Sequence, residues 1–373
     1  MRYSVPVLAA LVASATATAP IGRAVKMLTL ETSPGVTIEV TEEQKFEMMD
    51  RGAHFFDITE FQDKEVSANR LAVAAALPFP DKFHQKCTID ELIPKLDMER
   101  IERLLTKFSS FHNRYYLSNW GVQAVDWLHD QIKEAIDDSG IPFVNLRYVR
   151  HVAWAQPSLI VTIPGRNQRT VILGSHLDSV ISGDRGTGRA PGADDNGSGS
   201  LMNLEVLRAV LSDKRVQDGD ILNTLEFHWY GAEEAGLLGS QDIFTQYRTL
   251  NRQVVSMLNQ DMVGYAGRDG IERFGLVTDF TDASQNDFLK KAIGQFTNIP
   301  YEETVCGYAC SDHASANRNG FPSSFIFEAP FGNHNPYIHT PNDTMQHVSF
   351  DHVNEHAKMA LAYMYELAYW AFA

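Results

Sequence analysis

The stretch T-V-I-L-G-S-H-L-D-S, Thr170 to Ser179, joins a β-branched apolar run to a histidine and an aspartate two positions apart. A run of this kind, stopped by Gly174, reads as a buried strand with polar side chains at its end. Further β-rich runs lie at 158–163, 224–229, 254–258 and 323–327. Between and after them, Leu201, Leu204, Leu207 and Leu211 recur at helical spacing, as do Val353, Ala357, Ala360, Leu361, Met364 and Leu367. Strands alternating with helices predict one α/β domain with a mixed, largely parallel central sheet covered by helices on both faces. Gly165-Arg166-Asn167 suggests a hairpin turn joining 158–163 to 170–173. No internal repeat or low-complexity tract interrupts the pattern.

The 373 residues, 44% of them hydrophobic, suffice for one large domain and an accessory segment. Thirty-two basic against 47 acidic groups give a net charge of −15, and no basic run stands against it. A nucleic-acid partner is therefore not expected. The acidity is read as an aid to solubility. Residues 1–17 have the build of a secretory signal: Arg2, an apolar core from Val5 to Val12, and Ala15-Thr16-Ala17 as a cleavage site. Nothing later supplies the roughly 20 apolar residues of a membrane span. A secreted, monomeric product is expected.

Residues 18–78 carry none of the chemistry below. They hold a charged amphipathic stretch, Glu42 to Glu60, and an apolar run ending at Pro78. In a secreted hydrolase such a segment reads as a pro-region, leaving residues 79–373 as the catalytic domain; an ordinary N-terminal subdomain is the alternative. Of the three cysteines, Cys306 and Cys310 can close a small disulfide ring in an oxidising compartment. Half of a structural zinc site is the rival reading, and it lacks two further ligands nearby. Cys87 is left over.

Four groups of residues carry the chemistry, at strand ends or in loops, where α/β sheets gather their sites. They are G-S-H-L-D-S (174–179), A-P-G-A-D-D-N-G-S-G (190–199), Y-G-A-E-E-A-G-L-L-G-S (230–240), and N-Q-D-M (259–262) with N-P-Y-I-H-T-P-N-D-T (335–344). Singly each is weak: His-x-Asp is commonly a hydrogen-bonded pair, and adjacent glutamates commonly lie on a solvated face. Together, two histidines, two aspartates and a glutamate suit a pair of hard-to-borderline divalent ions. Asn196 and Asn342 match the glycosylation pattern, but both lie inside these groups and are read as unmodified.

In this order the four groups resemble the co-catalytic dizinc aminopeptidases, metallopeptidase family 28. F-H-N-R-Y-Y (111–116) and F-F-D-I-T-E (55–60) point to the secreted fungal leucine aminopeptidases. The resemblance implies a zinc-exopeptidase fold with two Zn²⁺ ions per subunit, acting on peptides with a free N-terminus. It implies Asp195 as the bridging ligand, His176 and Asp261 on one ion, Glu234 and His339 on the other, and Glu233 as general base. It further implies a cis peptide after Asp195, Asp178 orienting His176, and Tyr308 donating to the developing oxyanion. Met262, Phe325, Phe327, Phe331 and Ile338 would line a pocket for an apolar first residue such as leucine, although core packing explains Phe325 and Phe327 equally well. Two adjacent glutamates can take different duties, one holding metal while its neighbour moves a proton.

Three rivals weigh less. A carboxypeptidase would need a basic residue in these groups, and none stands there. A one-zinc glutaminyl cyclase would not need the five-ligand set. A dead scaffold would have lost a ligand or the base.

Overall fold

The computed structural model describes residues 26–61 and 78–372. The expected signal peptide, and the parts of the expected pro-region at 18–25 and 62–77, lie outside the described residues. Among those described, no helix is long and apolar enough to cross a membrane.

The chain begins with a small module. Strands β1 (Leu28–Ser33) and β2 (Val36–Val40) form an antiparallel hairpin, and β3 (Phe56–Asp57) adds to the other edge of β1. Between β2 and β3 runs α1 (Glu42–Asp50), started by a capping box in which Thr41 and Gln44 satisfy each other's backbone N–H. Lys45 and Asp57 close the module with a buried ion pair at 2.5 Å.

Helices α2 (Lys86–Leu92), α3 (Met98–Phe108) and α4 (Asn119–Ser139) follow, then strands β4 (Asn145–Val149), β5 (Ser158–Ile163) and β6 (Arg169–His176). Next come α5 (Gly199–Leu211), α6 (Lys214–Gln217), β7 (Thr224–Tyr230), α7 (Leu238–Thr249), β8 (Gln253–Asn259) and β9 (Phe274–Val277). The chain ends with α8 (Ala283–Phe296), β10 (Tyr301–Thr304), α9 (His313–Arg318), β11 (Ser323–Phe327) and α10 (Phe350–Tyr369). The eight later strands form one sheet in the order β10-β9-β11-β8-β6-β7-β5-β4. Its centre, β11-β8-β6-β7, is parallel, and antiparallel pairs flank it on both sides. The expected mixed, largely parallel sheet is what forms.

Side-chain alternation along β6 shows how both faces are covered. Val171 and Leu173 enter the large core beneath α5 and α10, whereas Ile172 faces Ile243, Phe244 and Ala316 of α7 and α9. Helix α10 is buried around nearly its whole circumference. Its Tyr363 hydroxyl donates to Ser256 Oγ at 2.7 Å and so ties the helix to β8.

One local expectation fails. Residues 158–163 and 170–173 do not form a hairpin, because β7 lies between them, antiparallel to β5 and parallel to β6. The Gly165 loop closes instead on the approach to β7: the Arg166 and Asn167 N–H groups donate to the Ile221 and Leu222 carbonyls, both at 3.0 Å. A Cβ on Gly165 would stand 2.4 Å from the Asn223 backbone, so close approach rather than a tight turn explains this glycine.

Candidate metal centre

The parallel strands end together, and the side chains that follow them converge. His176 is the last residue of β6. Glu233 and Glu234 form a short 3₁₀ turn after β7, and Asp261 follows β8 by two residues. Asp195 lies in the irregular turn that enters α5, and its peptide bond to Asn196 is cis, as the resemblance implied. His339 comes from the long loop between β11 and α10.

Two clusters result, His176 with Asp195 and Asp261, and Asp195 with Glu234 and His339, the ligand atoms of each lying within 4.8 Å of one another. His176 Nε2 is 3.0 Å from Asp261 Oδ1 and 3.2 Å from Asp195 Oδ1. His339 Nε2 is 2.9 Å from Glu234 Oε2 and 3.1 Å from Asp195 Oδ2. The two oxygens of Asp195 therefore face different clusters, the arrangement a bridging carboxylate needs. Ala232, Leu237, Met262 and His339 all adopt positive φ, between 55° and 62°, in the segments that carry these groups. Non-glycine residues in that region cluster where function over-determines the backbone.

The electrostatics call for cations. Burial pulls the His176 imidazole down, yet the facing carboxylates of Asp261 and Glu233 hold it well above its usual range. Burial pushes Glu233 well up, and Asp261 and Glu234 add to that against the opposing effect of His176. Glu234 rises to about 7, first through burial and then through Asp195. The Glu234 Oε1 atom is buried without a hydrogen-bond partner. Imidazole and carboxylate donors crowded in this way, with no thiolate among them, fit divalent ions of zinc's type, whose binding would displace protons from the site.

The groups around the clusters have clear tasks. Asp178 sits 3.4 Å from His176 Nδ1, and its two oxygens accept the N–H groups of Glu233 at 3.0 Å and Glu234 at 3.2 Å. It thus fixes the glutamate turn as well as facing the histidine. Ser311 donates to Asp261 Oδ2 at 2.6 Å. Arg114, the arginine of F-H-N-R-Y-Y, is fully buried and donates to the carbonyls of Leu177, Pro191 and Gly192, spanning the loops that carry His176 and Asp195. Sequence reading gave no role to Ser311 or Arg114. A buried serine has no sequence signal, but an arginine set among the aromatic residues of F-H-N-R-Y-Y is a cue to a buried polar brace.

Glu233, Glu234, Asp195, Asp261 and His339 open into a cavity of about 340 Å³. Met262, Phe325, Phe327, Phe331 and Ile338 line its apolar side, Phe327 stacking on Phe331 at 4.6 Å. All five pocket candidates are therefore brought together. Cys310 adds to the wall and is disulfide-bonded to Cys306 as expected, while Cys87 is free and exposed. Asn196 is buried with its side chain bonded to Gln260, Gly199 and Met262, whereas Asn342 is exposed.

Tyr308 stands apart from the cavity lining. Its ring packs edge-on against Phe280 at 4.8 Å and against Phe56 of the N-terminal module at 5.6 Å. That module also supplies part of the cavity itself: Met49, Gly52, Ala53, His54 and Phe55 are among its lining residues. Asp57 N–H donates to Gly236 O at 3.4 Å, Gln241 Nε2 donates to Asp57 O at 3.2 Å, and Arg185 pairs with Asp50. Gly236, at φ +98°, has room for no side chain, since a Cβ would lie 2.9 Å from that of Asp57. Nothing in the local sequence predicted this docking.

Comparison with known proteins agrees with the geometry. The chain is 44% identical to a probable leucine aminopeptidase 1 of Trichophyton verrucosum (strain HKI 0517), the match covering 97% of this chain and 99% of that one. It is 45% identical to a leucine aminopeptidase 1 of Arthroderma gypseum (strain ATCC MYA-4604 / CBS 118893), with the same coverage. Its fold superposes on the crystal structure of the LapA aminopeptidase of Legionella pneumophila with a TM-score of 0.78 and 28% identity, covering 89% of this chain and 90% of that one. The chain is a metal-dependent aminopeptidase, a hydrolase of peptide bonds. Residues 158–364 match the family model described as Peptidase family M28, and with the relatives spanning nearly the whole chain, this protein belongs to that family.

Proposed function

We propose that this chain is a secreted aminopeptidase that uses two zinc ions to release an apolar N-terminal residue, preferably leucine, and that residues 18–78 are a pro-region removed on maturation. The observation that carries the reading is Asp195, whose two oxygens face two ligand clusters beside one cavity that Asp195 and Glu233 both line. His176 and Asp261 would hold one ion, Glu234 and His339 the other, with Asp195 between. The chemistry zinc supplies when bound is Lewis acidity toward a water and toward the scissile carbonyl.

The rest falls to the chain. Glu233 takes the proton of the attacking water and delivers it to the leaving amine. The aromatic side of the cavity receives the first side chain of the peptide. Tyr308 donates to the developing oxyanion once Phe56 has left its ring. While the module is in place, His54 and its neighbours form part of the cavity wall, and this supports the reading that its removal changes access to the site.

The test is Glu233→Gln in the mature enzyme. It should keep its zinc, measured by metal analysis, and lose about 10²–10⁴-fold in kcat; near-normal turnover would reject Glu233 as the base. Acetylated peptides should be inert, and rapid cleavage of a blocked peptide would reject the exopeptidase assignment.

A further inference from the structure

The site contains more buried acid than its proposed ligands and base require. Asp343, four residues after His339, is 2% exposed and does not line the cavity. Its Oδ1 accepts the backbone N–H of Asp194 at 3.1 Å and its Oδ2 that of Asp195 at 3.0 Å. Its carbonyl accepts a third N–H, from Ala193, at 3.2 Å. Three consecutive amides of the turn that presents Asp195 thus end on one residue. That turn would otherwise carry unsatisfied buried donors, because it is too irregular to pair them internally.

The same loop grips the turn a second time. Asn335 donates to Asp194 Oδ2 at 2.8 Å, and Asp194 Oδ1 accepts the N–H of Gly264, three residues after Asp261. Adjacent aspartates therefore do opposite work: Asp195 points to the clusters, and Asp194 points away to tie the neighbouring loops.

We propose that Asp343 is the positioning residue of the bridging carboxylate, coupling the His339 loop to Asp195 so that both cation positions depend on it. The proposal rests on the two-ion reading above. An ordinary loop brace would act differently. Were Asp343 only a support for its own loop, its loss would displace His339 and weaken one ion alone. As a clasp on a shared ligand, its loss weakens both.

The experiment compares wild type, Asp343→Asn and His339→Ala as full-length chains stripped of metal and titrated with Zn²⁺ and with Co²⁺. It follows stoichiometry, affinity and the cobalt absorption spectrum. Asparagine has the same shape, but its Nδ2 would face one of the two amides as a second donor. Wild type should take up two ions. His339→Ala should lose one and keep the other near wild-type affinity. Asp343→Asn should bind both about 10–100-fold more weakly, the usual effect of losing an outer partner, and with an altered cobalt band at full occupancy. Should the asparagine variant fail to fold, Asp343→Glu, which keeps the charge but displaces it by one methylene, is measured in the same way and should show the same two-ion weakening. Wild-type affinity and spectrum in the variant, or loss of a single ion in the manner of His339→Ala, would overturn the proposal. Fewer than two ions in wild type would instead refute the reading on which it stands.

Discussion

Lys45→Met in the uncleaved chain tests whether the N-terminal module occludes the site. The Lys45 and Asp57 side chains are 3% and 5% exposed, and they meet at 2.5 Å. The Asp57 Oδ1 atom is also bonded to the N–H and hydroxyl of Thr59, but Oδ2 has the ammonium. Methionine keeps the length of the stem and removes the charge, leaving a buried carboxylate without its counter-ion. Breaking such a pair costs about 3–5 kcal/mol. At 1.4 kcal/mol per factor of ten, the opened module becomes roughly a hundred to a few thousand times more populated. Hydrolysis of a leucine chromogenic substrate by the uncleaved protein should rise in step, up to the mature rate, while amide exchange in residues 26–61 accelerates. The exposed pair Arg51–Glu47, at 3.9 Å, is the control, since surface pairs contribute about 0–1 kcal/mol; Arg51→Met should change neither reading appreciably. Faster exchange across the module with no gain in activity would refute the occlusion argument.

Other consequences follow from the same geometry. Arg114→Met should strand three buried carbonyls between the ligand loops, lowering stability by about 3 kcal/mol or more and weakening metal retention, both read by chelator-dependent thermal unfolding. Phe331→Ala removes the ring stacked on Phe327 and should cut kcat/KM for leucine substrates about tenfold while improving that for tryptophan; an unchanged ratio would remove Phe331 from the pocket. Acid should destabilise the Glu226–His228 network in two stages. Burial holds the His228 imidazole below its usual range, so stability falls once pH drops below about 6.5. Burial pushes Glu226 up, but His228 and Arg252 hold its carboxyl down to about 2, so its contribution is complete above 4.5 and disappears as pH falls through 2. Glu226→Gln should abolish the second stage and deepen the first, because the Glu226 carboxylate opposes the effect of burial on His228; a pH series of denaturant midpoints reads both.

The sheet was legible because its central strands are buried on both faces and therefore nearly continuous in apolar residues, as Ser158–Ile163 and Arg169–His176 illustrate. Which strands pair was not legible, since pairing depends on contacts distant in sequence. Gly165-Arg166-Asn167 has turn composition for a reason unrelated to a hairpin, namely its close packing on the approach to β7. The module's docking is hidden in the same way: its contacts with Gly236, Gln241 and Tyr308 join residues some 180 to 250 positions apart, and Phe56 on its own reads only as an apolar residue. The resemblance implied a role for Tyr308, but not the rings that enclose it.

The ligands themselves divide along this line. His176, Glu234 and Asp261 stand at or just after the ends of β6, β7 and β8, so a pattern of strand followed by polar residue finds them, and the sheet's own hydrogen bonds fix their spacing. Asp195 and His339 have no strand beneath them. A loop left to itself would not hold a ligand within the roughly 0.5 Å that a metal site demands. The buried polar contacts are concentrated on these two: Arg114 on the carbonyls of Pro191 and Gly192, Asp343 on the amides of Ala193 to Asp195, and Ser182 N–H on the carbonyl of His339. The sheet supplies most of the rigidity of His176 and Asp261, and Asp178 adds that of the Glu234 turn, whereas for Asp195 and His339 it has to be assembled from contacts between loops. Substitutions at those braces should therefore loosen the Asp195 and His339 positions first, while the three strand-mounted ligands keep their spacing.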